Sequence, residues 1–392
     1  MAAWDDGQNL GVRFDHACEV AKKLHPHWSL GSSYSGFAEA LVRQSRRIID
    51  GIKTKFRRMM LLKYSRRLKR YGWYVFAVDG SRLEAPLTVA NEETLGCAGR
   101  EKSGPQVFMT TLWNMGVGLP WDFRVGPGTD SERRHLEQML GDLPPGSLIV
   151  ADAGFVGFET CWRMLNAGHS FLLRVGGNIT LLTELGWEIE EKDGLVYLWP
   201  TKHRDNEPLV LRLITLERDK QTIYLLTNIR QQRKLSHEEA GILYEMRWGI
   251  EVFYRSYKQT LDRKRLLSRT PQTCLAECQW TMLGLWLLGL MTVDQLLSKK
   301  IDPLMLSVAS ARDAIRRAMR RSLQPRRSAT GSLRRDLSAA VKDTYHRHGP
   351  KAARDYPRKK QQKPPGPPII KSATEKERQR ASRLKAKIPI AA

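Results

Sequence analysis

Cysteine is scarce in this chain, and so are long apolar runs and negative charge. The five cysteines, Cys18, Cys97, Cys161, Cys274 and Cys278, contain no Cys-x-x-Cys pair and are odd in number. That argues against both a disulfide framework and a zinc ribbon. Cys274 and Cys278 stand one helical turn apart with no His nearby, and read as buried thiols. The start, Met1-Ala2-Ala3-Trp4-Asp5-Asp6, lacks the basic-then-apolar order of a signal peptide. The long, apolar and uncharged run 280–293 has 14 residues, short of the roughly 20 that span a bilayer. The expectation is a cytoplasmic, nucleoid-associated protein with no membrane partner.

What is present points toward phosphates. Lys and Arg number 65 against 41 Asp and Glu, a formal net charge of +24, with an isoelectric point near 10.0. Phosphate backbones carry the charge density that such an excess attracts, so nucleic acid is the expected partner. The 392 residues, 41% of them hydrophobic, suffice for two or three domains with a sizeable core.

Residues 1–70 read as a helical, basic DNA-binding region. Leu41, Val42, Ser45, Ile48, Ile49, Ile52, Phe56, Met59 and Met60 recur at three- and four-residue intervals. Twelve Lys or Arg and a single acid, Asp50, stand between Arg43 and Arg70. One apolar stripe with a cationic remainder suits a helix lying along a phosphate backbone.

From 71 to 175 the pattern becomes strand–helix–strand, the mark of an α/β fold class. The run 74–78 leads into Asp79-Gly80-Ser81, and 147–151 leads into Asp152-Ala153-Gly154. Further strands are expected at 106–117, 122–125 and 170–175, with a helix over 158–167. Residues 176–229 read as a β-rich insertion of short strands at 195–199, 209–216 and 221–226. Residues 230–300 return to helix. Ser236 is a plausible cap before the acidic turn His237-Glu238-Glu239, and 271–297 reads as a buried helix. Within 301–392, from Arg321 onward, twenty Lys and Arg face five acids, with Pro364-Pro365-Gly366-Pro367-Pro368 among them. That composition predicts a basic tail, disordered beyond Arg321.

The clearest pattern lies in 244–258. Tyr244, Arg247, Glu251 and Lys258 fall within roughly 60° of one helix face at about 100° per residue. Leu243, Met246, Ile250, Phe253 and Tyr257 form an apolar stripe beside them. One helix can then bury one edge and present a carboxylate, two cations and a phenol along the next. Asp79 and Asp152, each at a strand end with Gly80 or Gly154 leaving room nearby, complete with Glu251 the parts of a two-metal site. Magnesium is held by a few carboxylates, with phosphate oxygens and water filling its shell. Two such ions can activate an attacking oxygen and stabilise a leaving one. Glu84, Asp130 and Asp193 are equally eligible by composition. The helix face favours Glu251, because Arg247 and Lys258 become phosphate clamps beside a DNA strand.

The spacing Tyr-(2)-Arg-(3)-Glu-(6)-Lys at Tyr244, Arg247, Glu251 and Lys258 resembles the signature of the IS-four-type insertion-sequence transposases, a DDE group. Asp79 in Val-Asp-Gly-Ser and Asp152 in Ala-Asp-Ala-Gly-Phe resemble that family's two Asp motifs, in the expected order. The resemblance covers roughly 71–300. It implies an RNase H-like core interrupted by a β insertion before the Glu helix. Asp79, Asp152 and Glu251 would bind two magnesium or manganese ions. Tyr244, Arg247 and Lys258 would hold transposon-end DNA. The implied chemistry frees a 3′ hydroxyl at the transposon end and joins it to target DNA within a homodimeric synaptic complex. Such proteins often flip a base onto an aromatic ring, for which Trp187, Trp199 and Tyr224 are available. Two other readings use the same residues: an RNase H-like nuclease that cuts without joining, and a non-catalytic basic nucleic-acid-binding protein.

Overall fold

Ser33 and Ser236 show how local chemistry opens the helices. The Ser33 hydroxyl accepts the Gly36 N–H at 3.3 Å. Ser236 and Glu239 form a reciprocal capping box, with contacts of 3.1 and 2.8 Å. The computed structural model describes all residues except 1–4, 6, 8, 32, 98–103, 189–193, 219–220, 324–331, 343–365 and 387–392.

In chain order, α1 (Leu10–Leu24) and α2 (Tyr34–Tyr64) precede β1 (Lys69–Arg70), β2 (Trp73–Glu84) and α3 (Val89–Leu95). Next come β3 (Gln106–Asn114), β4 (Leu119–Pro127) and α4 (Glu132–Glu137). The middle of the chain holds β5 (Leu148–Ala151), α5 (Phe158–Asn166), β6 (Ser170–Val175), β7 (Thr180–Thr183), β8 (Leu195–Leu198), β9 (Leu209–Arg218) and β10 (Gln221–Thr227). Helices α6 (His237–Met246), α7 (Trp248–Arg255), α8 (Pro271–Ser298), α9 (Val308–Leu323) and α10 (Leu333–Ser338) follow, then β11 (Ile369–Ser372) and α11 (Glu375–Ala386). They divide into two compact units: Met1–Asp142 with Trp248–Asp343, and Leu143–Arg247 with Thr344–Ala392.

In the first unit β1, β2, β3 and β4 pair antiparallel in that order. Helices α2 and α8 pack together over β4, with the Phe56 ring edge-on to Trp286 at 5.3 Å. By length and composition α8 could cross a membrane, since the uncharged run extends into a 28-residue helix, yet 61% of its apolar window is buried inside the protein. Charge on α2 is spent inward more than its sequence suggests. Lys53 is buried, pairs with Asp122 and donates to the Phe123 carbonyl at 3.0 Å. Arg57 reaches Asp122 at 3.3 Å and Asp142 at 2.9 Å, and Lys63 pairs with Asp294. Lys53 and Arg57 are thus committed to the fold, whereas Lys63 makes its pair at the exposed surface. Burial pulls the Lys53 ammonium below its ordinary pKa, with Asp122 opposing that shift.

In the second unit β5 and β6 pair in parallel, and β6, β10, β9, β8 and β7 continue antiparallel. Tyr224 on β10 stands opposite Val175 on β6, so strands β7 to β10 extend this sheet and the expected boundary at 175 falls inside one unit. The expected disorder beyond Arg321 is overturned for the described residues there. Strand β11 pairs in parallel with β7, and α11 follows it, tied by Glu377 to Arg204 and by Arg380 to Asp205. Average composition misjudged this segment because a short strand needs only a waiting edge and four residues. Helix α10 lies in the first unit, where Leu337 and Ala340 pack with Leu288, Ala311, Ala314 and Ile315.

Candidate active site

Asp79 sits in the middle of a strand, not at the end of one as the sequence suggested. β2 runs on to Glu84, with Asp79 opposite Thr111 and Gly80 opposite Thr110 on β3. The ladder continues here, and Gly80 lets the Phe108 ring approach it closely. A Cβ at Gly80 would stand 2.5 Å from Phe108 and 3.0 Å from Glu132 Oε2. The space beside the Gly80 Cα is thus filled by Phe108 and Glu132. Phe108 is itself held between the Arg82 guanidinium, 4.5 Å from its centroid, and the His135 ring at 5.7 Å. Gly80→Ala is therefore expected to cost about 1–3 kcal/mol by overpacking, read as a lowered thermal midpoint; an unchanged midpoint would show that Phe108 swings aside.

The Asp79 carboxylate accepts the Gly80 N–H at 2.9 Å and is partly exposed. Its backbone carbonyl accepts the hydroxyl of Tyr254 at 2.9 Å. That hydroxyl also lies 3.2 Å from the Met109 carbonyl and 3.0 Å from Thr111 Oγ1. Burial, reinforced by the Asp79 carboxylate, pushes the Tyr254 phenol well above its ordinary pKa and keeps it a donor. β4 ends at Pro127 and Ser131 precedes α4, from which His135 bonds Thr110 and Asp130, each at 2.9 Å. Burial holds its imidazole below the ordinary value.

Glu251 lies on α7, which two contacts fix to the same sheet. Tyr254 grips β2 at Asp79, and Gly249 lies so close to β3 that a Cβ there would be 2.3 Å from the Trp113 ring. Glu251 stands between these anchors and is partly exposed. Leu243, Ile250, Phe253 and Tyr257 of the expected apolar stripe are buried, and Met246 is half-buried.

The signature does not ride on one uniform helix. α6 ends at Met246, α7 starts at Trp248, and Ser256–Thr260 forms a π-helical turn. An α-helical count therefore misplaces Lys258 relative to Glu251, since a π turn closes on the fifth residue. Arg247 lies over the Tyr244 ring, 5.6 Å from its centroid. Tyr244 is only 8% exposed, so its phenol is mostly covered.

Asp152 follows β5 directly, in the second unit, and caps the short turn Ala153–Phe155 by accepting the Gly154 N–H at 2.9 Å. The acids left eligible by composition have structural work: Glu84 pairs with Arg265 at 2.8 Å and Asp130 with His135. Asp193 lies outside the described residues. Of the candidate stacking rings, Trp199 is withdrawn, being 1% exposed with its N–H donated to the Asn206 carbonyl at 2.8 Å. Trp187 and Tyr224 are half-buried. Sequence reasoning passed over Tyr254, Glu132 and the 53%-exposed Trp248. Tyr254 could have been suspected as a second aromatic beside the stripe, but its partner stands 175 residues away.

Among the described residues, no three His, Cys, Asp or Glu side chains form a group that could hold a metal ion. The donors that are present suit a hard cation: carboxylate oxygens, with those of Asp79 and Asp152 each oriented by a backbone N–H.

A family model described as "Transposase DDE domain" matches residues 71–287. The chain shares 28% identity over 222 residues with the Transposase InsG for insertion sequence element IS4 of Escherichia coli, spanning 53% of this chain and 49% of that one. It is 22% identical over 161 residues to a Synechocystis protein named for the transposase of insertion sequence element IS4SA, covering 40% and 44%. The chain spans about half the length of these curated relatives. A solved piggyBac transposase synaptic complex with hairpin DNA aligns with a TM-score of 0.36 at 13% identity, over 71% of this chain and 59% of that one. The chain belongs to the DDE transposase domain family, in its IS4-type group.

Proposed function

We propose that this protein is an insertion-sequence DNA transposase that cuts transposon ends and joins the freed 3′ hydroxyl to target DNA. The observation that carries the reading is the docking of the Glu251 helix on the Asp79 strand through Tyr254 and on the neighbouring β3 through Gly249, in a chain of the DDE transposase domain family. Antiparallel β2–β4 followed by the parallel pair β5–β6 supports an RNase H-like core.

In this reading Asp79, Asp152 and Glu251 would hold two magnesium or manganese ions, whose chemistry when bound is activation of the attacking oxygen and stabilisation of the leaving one. The protein's own part is placement. Gly80 and Gly154 N–H groups orient the two Asp carboxylates. Tyr254 ties the backbone of Asp79 to the helix of Glu251, so the two acids move together. Arg247, Lys258 and the edge of Tyr244 hold the backbone of the transposon end. Two copies acting in one synaptic complex would supply both ends. A strand-transfer assay tests the proposal: duplexes from the DNA flanking the gene, with magnesium, should yield joined product, lost on chelation. Cleavage without joining under any divalent ion would reduce the protein to a nuclease.

A further inference from the structure

The π turn that carries Lys258 is braced from outside the family-matched region. Its ladder closes with the Leu261 N–H on the Ser256 carbonyl at 3.1 Å, and the Arg263 N–H reaches the Lys258 carbonyl at 3.0 Å. Asp262 then takes a positive φ of 52°, which turns the chain away. On one side Tyr257 is fully buried and donates its hydroxyl to the Cys278 carbonyl on α8 at 3.2 Å. On the other, the carbonyl of Thr260, the last residue of the turn, accepts Arg312 Nη1 from α9. Helix-terminal carbonyls need such donors, because no later turn supplies them.

Arg312 is itself oriented. Its Nε and Nη2 both donate to Asp313 Oδ1, at 2.9 and 2.8 Å. The helix beneath is seated by Ala311, Ala314 and Ile315 in the cluster with Leu288 and Leu337. Arg312 lies beyond residue 287, where the family match ends.

We infer that Arg312 is a positioning residue for Lys258: by capping the π turn at Thr260 it sets where the Lys258 ammonium meets DNA. The inference rests on the reading of Lys258 as a phosphate clamp. It makes α9 and α10 part of the DNA-holding apparatus, not an appendage to it.

The test is binding of the full-length protein to labelled duplexes from the DNA flanking the gene, across a salt series, with thermal midpoints measured in parallel. Lys258→Ala should lower the salt slope by about 0.9 and weaken affinity roughly fivefold at physiological salt. Arg312→Ala should produce the same loss, and the double variant Lys258→Ala with Arg312→Ala should lose nothing more. Arg312→Lys, which keeps a donor for Thr260, should bind like the wild type. Additive losses would mean that Arg312 touches DNA itself, and a wild-type slope in Arg312→Ala would mean that the turn holds without it; either overturns the inference. If Arg312→Ala does not fold, Asp313→Ala replaces it. A slope between those of the wild type and Lys258→Ala then supports the inference, and a wild-type slope overturns it. An unchanged slope in Lys258→Ala sinks the clamp reading instead, whatever Arg312 does.

Discussion

Asp79→Asn, Asp152→Asn and Glu251→Gln are each expected to abolish end cleavage while leaving DNA binding largely intact. Each change keeps the side chain's size and removes one charge, so what it tests is charge and not packing. Metal-assisted stabilisation of a phosphoryl transition state is worth several kcal/mol, so losing one ligand at about 4 kcal/mol is roughly a thousandfold in rate. Binding should survive because the proposed phosphate contacts come from Arg247 and Lys258, and the net charge of +24 supplies attraction that three carboxylates barely alter. Cleavage rates and gel-shift affinities measured on the same preparations decide the matter. A parallel fall in binding would show that these acids are scaffold. For Asp79 a structural share is plausible to check, since its carboxylate also accepts the Gly80 N–H; an Asn side-chain oxygen retains that acceptor.

The second large effect lies far from any chemistry. Asp122→Ala should destabilise the protein by about 3–5 kcal/mol, measured by chemical denaturation. Asp122 is fully buried and faces three cations: Lys53 and Arg57 from α2, and Arg124 at 3.0 Å from its own strand. Its loss leaves the Lys53 ammonium, itself only 4% exposed, without its carboxylate and held by the Phe123 carbonyl. The pair joins α2 to β4, so its failure loosens the first unit as a whole. A loss below about 1 kcal/mol would mean that water or Asp142 takes over the charge. Asp142 already meets Arg57 at 2.9 Å and is the natural substitute.

These two expectations differ in how far the sequence could have led to them. The acids were legible as candidates because motif and order are linear properties: Asp79, Asp152 and Glu251 stand in recognisable strings, and the apolar stripe marked the Glu helix. The β-rich stretch after Val175 and the helix cap at Ser236 were legible for the same reason, since strand alternation and caps are written within a few residues. The Asp122 network was not. Nothing in a count of α2's cations distinguishes Lys53, which ends inside the fold, from Arg58, which stays exposed. Position along a helix sets a side chain's face, but a partner 70 residues away decides what it meets.

The sequence alone determined the family, the order of the acids and the polyanion-seeking charge, all of which depend on residue identity and spacing. Tertiary structure decided that Asp79 lies within a strand, because the ladder with β3 continues where Phe108 crosses Gly80. It also decided that the helix widens into a π turn at Lys258, and that the basic segment after Pro367 becomes β11 and α11. In each case the deciding energy comes from a neighbour remote in the chain, a contact that local propensity and composition do not contain.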